Sequence, residues 1–151
     1  MSEADDGLVR EGAYEATVRS YELDSYLHLN NAVYQSWFEE GREALLRRGG
    51  TDFMWWPRET GLWFVLARIE IDFRRSAEAR DRVAVRSRLA SFGEKSVVWR
   101  QAMFRVPDGA LLAEARALMC FGQDGRAVPL PPEFRARYAP HPSGDAPFGA
   151  A

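Results

Sequence analysis

Between Asn30 and Gly50 the apolar side chains return on a helical period. Tyr34, Trp37, Phe38, Gly41 and Leu45 stand at i, i+3, i+4, i+7 and i+11, and Val33, Ala44 and Leu46 widen the stripe. Asn30 or Asn31 can cap the start, because an amide oxygen accepts from a first-turn N–H. Gly49-Gly50 ends the helix, since glycine enters the left-handed region without a Cβ clash.

The rest of the chain alternates with period two. Tyr14, Ala16 and Val18 interleave with Glu15, Thr17 and Arg19, which predicts a first strand. From Trp63 to Arg74 every odd position through Phe73 is apolar, while even positions turn charged from Arg68 onward. That pattern predicts a long strand with its odd face buried throughout and its even face buried only in the first half. Further strands are predicted over 82–92, 96–106 and 111–121, the last with Ala113, Ala115 and Ala117 small enough for a helix to lie close. Gly93-Glu94, Pro107-Asp108-Gly109 and Gly122-Gln123-Asp124-Gly125 are turn signals.

Between helix and strands, Pro57 argues against a regular helix, and Phe53, Trp55 and Trp56 need cover, as a lid on the core or as a wall of a pocket. Pro131-Pro132 can open a short helix over 133–138. Residues 1–11 read as an acidic frayed lead, and 139–151, rich in Pro, Gly and Ala, as a disordered tail. The expectation is one α+β domain over 1–138, a five-stranded antiparallel sheet wrapped around one long central helix.

Composition narrows the function. At 151 residues and 46% hydrophobic the chain holds a real core, and five Trp make it rich in aromatics. Lys+Arg (20) and Asp+Glu (22) nearly cancel, which is not the basic footprint of a nucleic-acid binder. Lys95 is the sole lysine, and an arginine-rich surface is compatible with a phosphate-bearing ligand. One cysteine, Cys120, rules out an internal disulfide and reads as an inert thiol buried in a strand. No apolar run is long enough to span a membrane and the start lacks a signal-peptide pattern, so the expected setting is the cytoplasm.

The chemistry concentrates at Asp24, His28, Asn30 and Asn31, just ahead of the helix. A carboxylate there neighbours the free N–H groups and positive dipole end of a helix N-terminus. Such groups can polarise a carbonyl while the carboxylate attacks it or activates water. The same residues also serve as plain caps. A Ser-His-Asp set is disfavoured, because the only histidines are His28 and His141.

Asp24-x-x-x-His28-Leu29-Asn30-Asn31-x-x-Tyr34, followed by Trp37-Phe38-Glu39-Glu40 and Arg42, resembles the acyl-CoA thioesterases of the hot-dog fold, the 4-hydroxybenzoyl-CoA thioesterase-like group. The order of elements from about residue 12 to about residue 138 agrees with that group. The resemblance implies hydrolysis of acyl-CoA or acyl-carrier-protein thioesters without a cofactor or metal. It implies Asp24 as nucleophile or general base, and backbone N–H groups from Asn30 to Ala32, Asn31 foremost, as the carbonyl's partners. His28 and Asn30 would orient the loop, and Glu40 stands where some plant acyl-carrier-protein thioesterases carry a helix glutamate that aids catalysis. Tyr34 would line the substrate site, with Arg74, Arg75, Lys95 and Ser96 in stretches that meet the phosphopantetheine arm and its phosphates.

A homodimer joined edge to edge, or a tetramer of such dimers, is implied as well; no nucleic acid or membrane is. The sequence departs from the usual pattern at Leu27, which replaces a glycine, and at Tyr26, where the plant enzymes have a catalytic asparagine. A hydratase or dehydratase of the same fold and a non-catalytic acyl-thioester binder remain alternatives. Phe53, Trp55, Trp56 and Trp63 hint at a medium, long or aromatic acyl group.

Overall fold

The computed structural model describes residues 5–148. The outermost parts of the acidic lead and of the tail, 1–4 and 149–151, lie outside the described residues. The elements are β1 (Glu11–Thr17), a 3-10 turn (Ser20–Glu22), α1 (Asn31–Arg48), α2 (Trp55–Thr60), β2 (Trp63–Phe73), β3 (Arg82–Phe92), β4 (Ser96–Val106), β5 (Leu111–Gln123), β6 (Arg126–Ala127) and α3 (Pro132–Arg135). The sheet runs β1-β3-β4-β5-β2, antiparallel throughout, and the two-residue β6 adds to β5. It curls around α1, which is the hot-dog arrangement.

Helix α1 begins and ends where its caps place it. Asn30 is the N-cap, its Oδ1 accepting from Ala32 N–H at 3.0 Å, and Gly50 follows the last turn at φ 84°. Tyr34, Trp37, Phe38, Gly41, Leu45 and Leu46 are all buried. The helix comes closest to the sheet at β1 and β3. A Cβ on Gly12 would sit 2.8 Å from the Leu45 backbone, and one on Gly41 would sit 2.8 Å from Ser87 Oγ and Val85 Cγ1. The close approach expected over the alanines of β5 is therefore made elsewhere, and Ala113, Ala115 and Ala117 lie buried in the core.

The core is two apolar clusters with a polar layer between them. One gathers Trp56, Phe64, Trp99, Phe121, Phe134 and Tyr138 beneath Leu45 and Leu46. The other gathers Tyr34, Trp37, Phe38, Val85, Met103 and Leu112. Between them Arg42, 2% exposed, donates to Gln101 Oε1 at 2.8 Å, and Gln101 Nε2 donates to Phe38 O (2.7 Å) and Ser87 Oγ (2.8 Å).

Several expectations change. β2 does not bury one face throughout: its pairing with β5 shifts between Leu66 and Arg68, and this bulge at Ala67 swaps the faces. Phe64 and Leu66 point inward before it and Ile69 and Ile71 after it, so Trp63 and Val65 are 54% and 47% exposed. Pro57 does sit in a helix, within the first turn of α2, where its missing N–H would have had no partner. Trp56 is fully buried against Phe64, Phe121 and Phe134, so it plugs the core and does not wall a pocket. Cys120 is only half-buried.

The tail is the largest difference. Residues 139–148 run back over the sheet, starting with Ala139 N–H to Val9 O (3.1 Å) and His141 N–H to Leu89 O (2.8 Å). Asp145 then pairs with Arg100 (2.8 Å) and Arg116 (3.0 Å), and Phe148 covers the Arg88 guanidinium at 4.5 Å. Composition signalled disorder; two salt bridges and a cation–π contact hold the segment down.

Candidate active site

The loop 22–30 is folded by its own main chain. Asp24 N–H donates to His28 O (2.8 Å), and Leu27 N–H to Asp24 O (3.0 Å), which closes a turn. Asp24 Oδ1 accepts from Tyr26 N–H (2.8 Å) and His28 N–H (3.2 Å). Oδ2 has no protein partner among the described residues. Leu29, buried, ties the loop down by donating to Ala77 O (2.8 Å). Leu27, in the glycine position of the motif, takes φ 64° and so reproduces the left-handed bend that a glycine would supply.

The first backbone donors of α1 are shared out unequally. Asn30 N–H donates to Glu22 O (2.9 Å), Ala32 N–H to the Asn30 side chain (3.0 Å) and Val33 N–H to Asn30 O (2.9 Å). Asn31 N–H alone in this run has no acceptor among the described residues. Of the three donors expected to meet a carbonyl, Asn31 N–H, the foremost, is therefore open, while those of Asn30 and Ala32 are engaged in the loop and the cap.

Asp24, His28, Asn31, Tyr34, Arg74 and Arg75 line one cleft of about 240 Å3, together with Leu29, Phe73 and Ser76. Phe73 packs edge-on to Tyr34 at 5.0 Å. Burial raises the Tyr34 hydroxyl above its ordinary value, and the Asp24 charge adds to the rise, so Tyr34 is a neutral hydroxyl donor here. Arg74 leans on Glu114 at 3.2 Å. The His28 imidazole lines the cleft without a hydrogen bond to a described residue, so its hold on the loop runs through the main chain. Asn30 acts as the cap and is not part of the lining.

Three sequence-predicted residues lie apart. Glu40 is nine residues from Asn31, about 14 Å along α1 and half a turn around it. It lines a larger polar groove of about 620 Å3 with Glu15, Arg19, Glu22 and Ser36. That groove lacks both Asp24 and the open N–H, so the smaller cleft is the better catalytic candidate. Lys95 and Ser96 stand at the far end of the sheet. Met103 of β4 pairs with Ala113, which pairs with Phe73 at the cleft, and Ser96 is seven residues back along β4, roughly 23 Å away. Ser76 and Phe73 were not singled out in the sequence, where they read as connector and strand.

No helix is long and apolar enough to cross a membrane among the described residues.

Comparison with known proteins identifies the family and the fold. The long-chain acyl-CoA thioesterase FadM of Escherichia coli (strain K12) is 35% identical over 98 residues, which is 65% of this chain and 73% of that protein. A chloroplastic acyl-acyl carrier protein thioesterase of Arabidopsis thaliana is 24% identical over 82% of this chain and 65% of its own length. A crystal structure of a 4-hydroxybenzoyl CoA thioesterase mutant, complexed with 4-hydroxybenzoyl CoA, superposes with TM-score 0.77 over 83% of this chain and 96% of that one, at 18% identity, and shows the shared fold. The family model described as the thioesterase-like superfamily matches residues 18–138, so the central helix, every strand after β1 and the Asp24 cleft fall within the match, and the chain belongs to that superfamily.

Proposed function

We propose that this protein hydrolyses acyl thioesters of coenzyme A or an acyl carrier protein, in the cleft that holds Asp24. The observation that carries the reading is the pairing of the open Asn31 N–H with the unengaged Oδ2 of Asp24 in one cleft. The thioester oxygen accepts from Asn31 N–H, at the positive end of α1, as negative charge grows on it. Asp24 Oδ2 either attacks the carbonyl carbon, giving an acyl anhydride that water opens, or takes a proton from the water that attacks. In both routes the C–S bond breaks and the thiolate leaves with the electron pair. A thiolate is a stable enough anion to leave without an acid, which fits a cleft where no histidine side chain is fixed for that task.

The relatives named above act on long-chain acyl-CoA and on acyl-acyl carrier protein, which supports both carriers.

The reading includes a homodimer joined through β2. This strand is an edge, paired only with β5, and Trp63, Val65 and Phe73 along it are about half exposed. An open apolar edge invites a second strand. A two-fold antiparallel pairing would set the partner's Trp63 end beside Phe73 at the cleft. It would also bring Lys95 and Ser96 of the partner subunit toward the cleft mouth, where they could meet the thioester's arm.

A panel of acyl-CoAs with a thiol-trapping reagent tests the chemistry. The expected result is thiol release that falls by about 10²–10⁴-fold in Asp24→Ala with an unchanged melting curve, while Glu40→Gln retains activity. Loss of enoyl absorbance without thiol release would instead make the protein a hydratase, and tight binding with neither change a non-catalytic binder. Light scattering tests the dimer.

A further inference from the structure

The outer face of the sheet, away from α1, carries three arginines side by side. Arg88 of β3 pairs in register with Arg100 of β4, which pairs with Arg116 of β5. Residues directly opposite share a face and stand within about 5.5 Å at their Cβ atoms, so this row opposes like charges, an arrangement that destabilises a sheet unless something compensates. Glu11 and Glu70 close the row on β1 and β2, but Glu11 meets His141 (3.4 Å) and Glu70 meets Arg68 (2.8 Å).

The centre of the row is compensated by the tail. Asp145 takes Arg100 Nε on Oδ1 (2.8 Å) and Arg116 Nε on both oxygens (3.1 and 3.0 Å). Arg100 Nε also reaches the Asp145 main-chain O (3.0 Å). Arg88 fares differently. It is 7% exposed, donates to the Ala146 carbonyl, lies under the Phe148 ring at 4.5 Å, and its buried Nε has no partner. Burial and the neighbouring Arg100 and Arg86 charges push its pKa down. So a buried guanidinium faces a ring and a neutral carbonyl, with no carboxylate in hydrogen-bond contact. A carboxylate brings one charge and two oxygens, and here it satisfies two of the three arginines. A phosphomonoester brings up to two charges and three free oxygens, one for each guanidinium, and arginine's planar fork is suited to it.

We propose that Arg88, Arg100 and Arg116 form a binding site for a phosphate or phosphomonoester on the outer face of the sheet, and that Asp145 is its built-in competitor. The strap is made to leave. Beyond His141 its backbone–backbone hydrogen bonds run within itself, from Gly144 N–H to His141 O (2.8 Å) and from Ala146 N–H to Ser143 O (3.2 Å). It touches the row only through Asp145, Ala146 O and Phe148 among the described residues. An arriving phosphate takes the place of the Asp145 carboxylate, and residues 143–148 swing off the sheet. The site is on the face opposite the Asp24 cleft and does not depend on the reaction proposed there.

The test is calorimetric titration of the full-length protein with inorganic phosphate at low ionic strength. Asp145→Asn keeps the side-chain shape and removes the competing charge, so phosphate should bind it about tenfold more tightly than wild type. The gain should vanish in Asp145→Asn/Arg100→Gln and in Asp145→Asn/Arg116→Gln, two variants so that one poor folder leaves the other to decide. In the wild type, saturating phosphate should move the Nε–Hε resonances of all three arginines and the amides of 144–148 together. Repeating the titration with coenzyme A and with dephospho-coenzyme A tells a substrate-borne phosphomonoester from the free ion: a gain restricted to coenzyme A marks the former, and a gain with inorganic phosphate alone the latter. Equal affinity in wild type and Asp145→Asn for every probe, or a gain that survives in both double variants, would overturn the proposal.

Discussion

Asp24 and His28 are tied to each other twice, once through the main chain and once through the carboxylate: Asp24 N–H donates to His28 O at 2.8 Å, and His28 N–H donates back to Asp24 Oδ1 at 3.2 Å. Two bonds across four residues need a sharp reversal, and Leu27 supplies it at φ 64°. A leucine there is strained by about 1–2 kcal/mol relative to a residue without Cβ. Its side chain is 70% exposed, so little packing offsets the strain. Leu27→Gly should therefore stabilise the protein, by up to about 1 kcal/mol once glycine's larger unfolded-state entropy is subtracted, or a few degrees in Tm. Leu27→Val should destabilise it, because a branched Cβ tolerates that region least. Thermal melts of the three proteins decide this.

Asn30 and Asn31 have adjacent but separate tasks. The Asn30 side chain fixes the first turn of α1 and uses up Ala32 N–H, leaving Asn31 N–H to the cleft. Asn30→Ala should cost about 1 kcal/mol in stability. Asn30→Asp keeps the cap and the stability, yet sets a second negative charge beside the point where the thioester oxygen gains charge. Its kcat should fall about tenfold with Tm held. Paired melts and thiol-release kinetics separate the two effects, and a fall in kcat confined to Asn30→Ala would assign the cap a purely structural part.

What could be read from the sequence was local, and what could not was long-range. Asn30, the 34-37-38-41-45 stripe and Gly49-Gly50 define α1 within residues 30–50, and Asp24 is brought to its start by the short loop 24–30. The bulge at Ala67 left no such mark, since an unbroken run of apolar odd positions hides a change of face that only the pairing with β5 reveals. Arg42 lies on the buried face of α1, four residues after Phe38, and a charge at that spacing is a signal that a polar layer waits opposite. Its partners, Ser87 and Gln101, come from distant strands and read as ordinary alternation. The tail misled because Pro, Gly and Ala content says nothing of Asp145 meeting Arg100 and Arg116 from more than 25 residues away.

Tyr138 gives the fold an alkaline limit. Its hydroxyl donates to Leu46 O at 2.6 Å and lies 2.7 Å from Thr51 Oγ, in full burial, and that burial pushes its pKa up to about 12 from 10. Between those values the unfolded chain gives up the proton while the folded one keeps it, so the unfolded state binds fewer protons and stability falls as pH rises. The contribution is fully present below pH 10 and lost through about pH 12, on the order of 2–3 kcal/mol. Tyr138→Phe should lose roughly 1 kcal/mol at neutral pH with the hydrogen bond, and should show a flatter decline above pH 10. Urea titrations at pH 8, 10 and 11 compare the slopes; parallel slopes would mean the hydroxyl ionises as freely folded as unfolded.

The Arg42–Gln101 pair sets the energetics of the middle of the core. Gln101 Oε1 is the acceptor for Arg42 Nη1, while Arg42 Nε is buried without one. Burial pushes the guanidinium down to about 10, and the Glu39 charge only partly offsets it. Gln101→Leu strands a charge that cannot reach water and leaves Ser87 Oγ without its donor, so it should cost about 3 kcal/mol or more. Arg42→Met removes the charge and keeps the volume, leaving one amide oxygen unpaired, and should cost about 1–2 kcal/mol. In the double variant the two losses should not add, because the stranded charge is gone. A coupling of at least about 1.5 kcal/mol in the urea-denaturation cycle is the expected result. Additive losses would show that the guanidinium finds water when Gln101 is absent, and that the polar layer is a side entrance to the core instead of a sealed seam between its two halves.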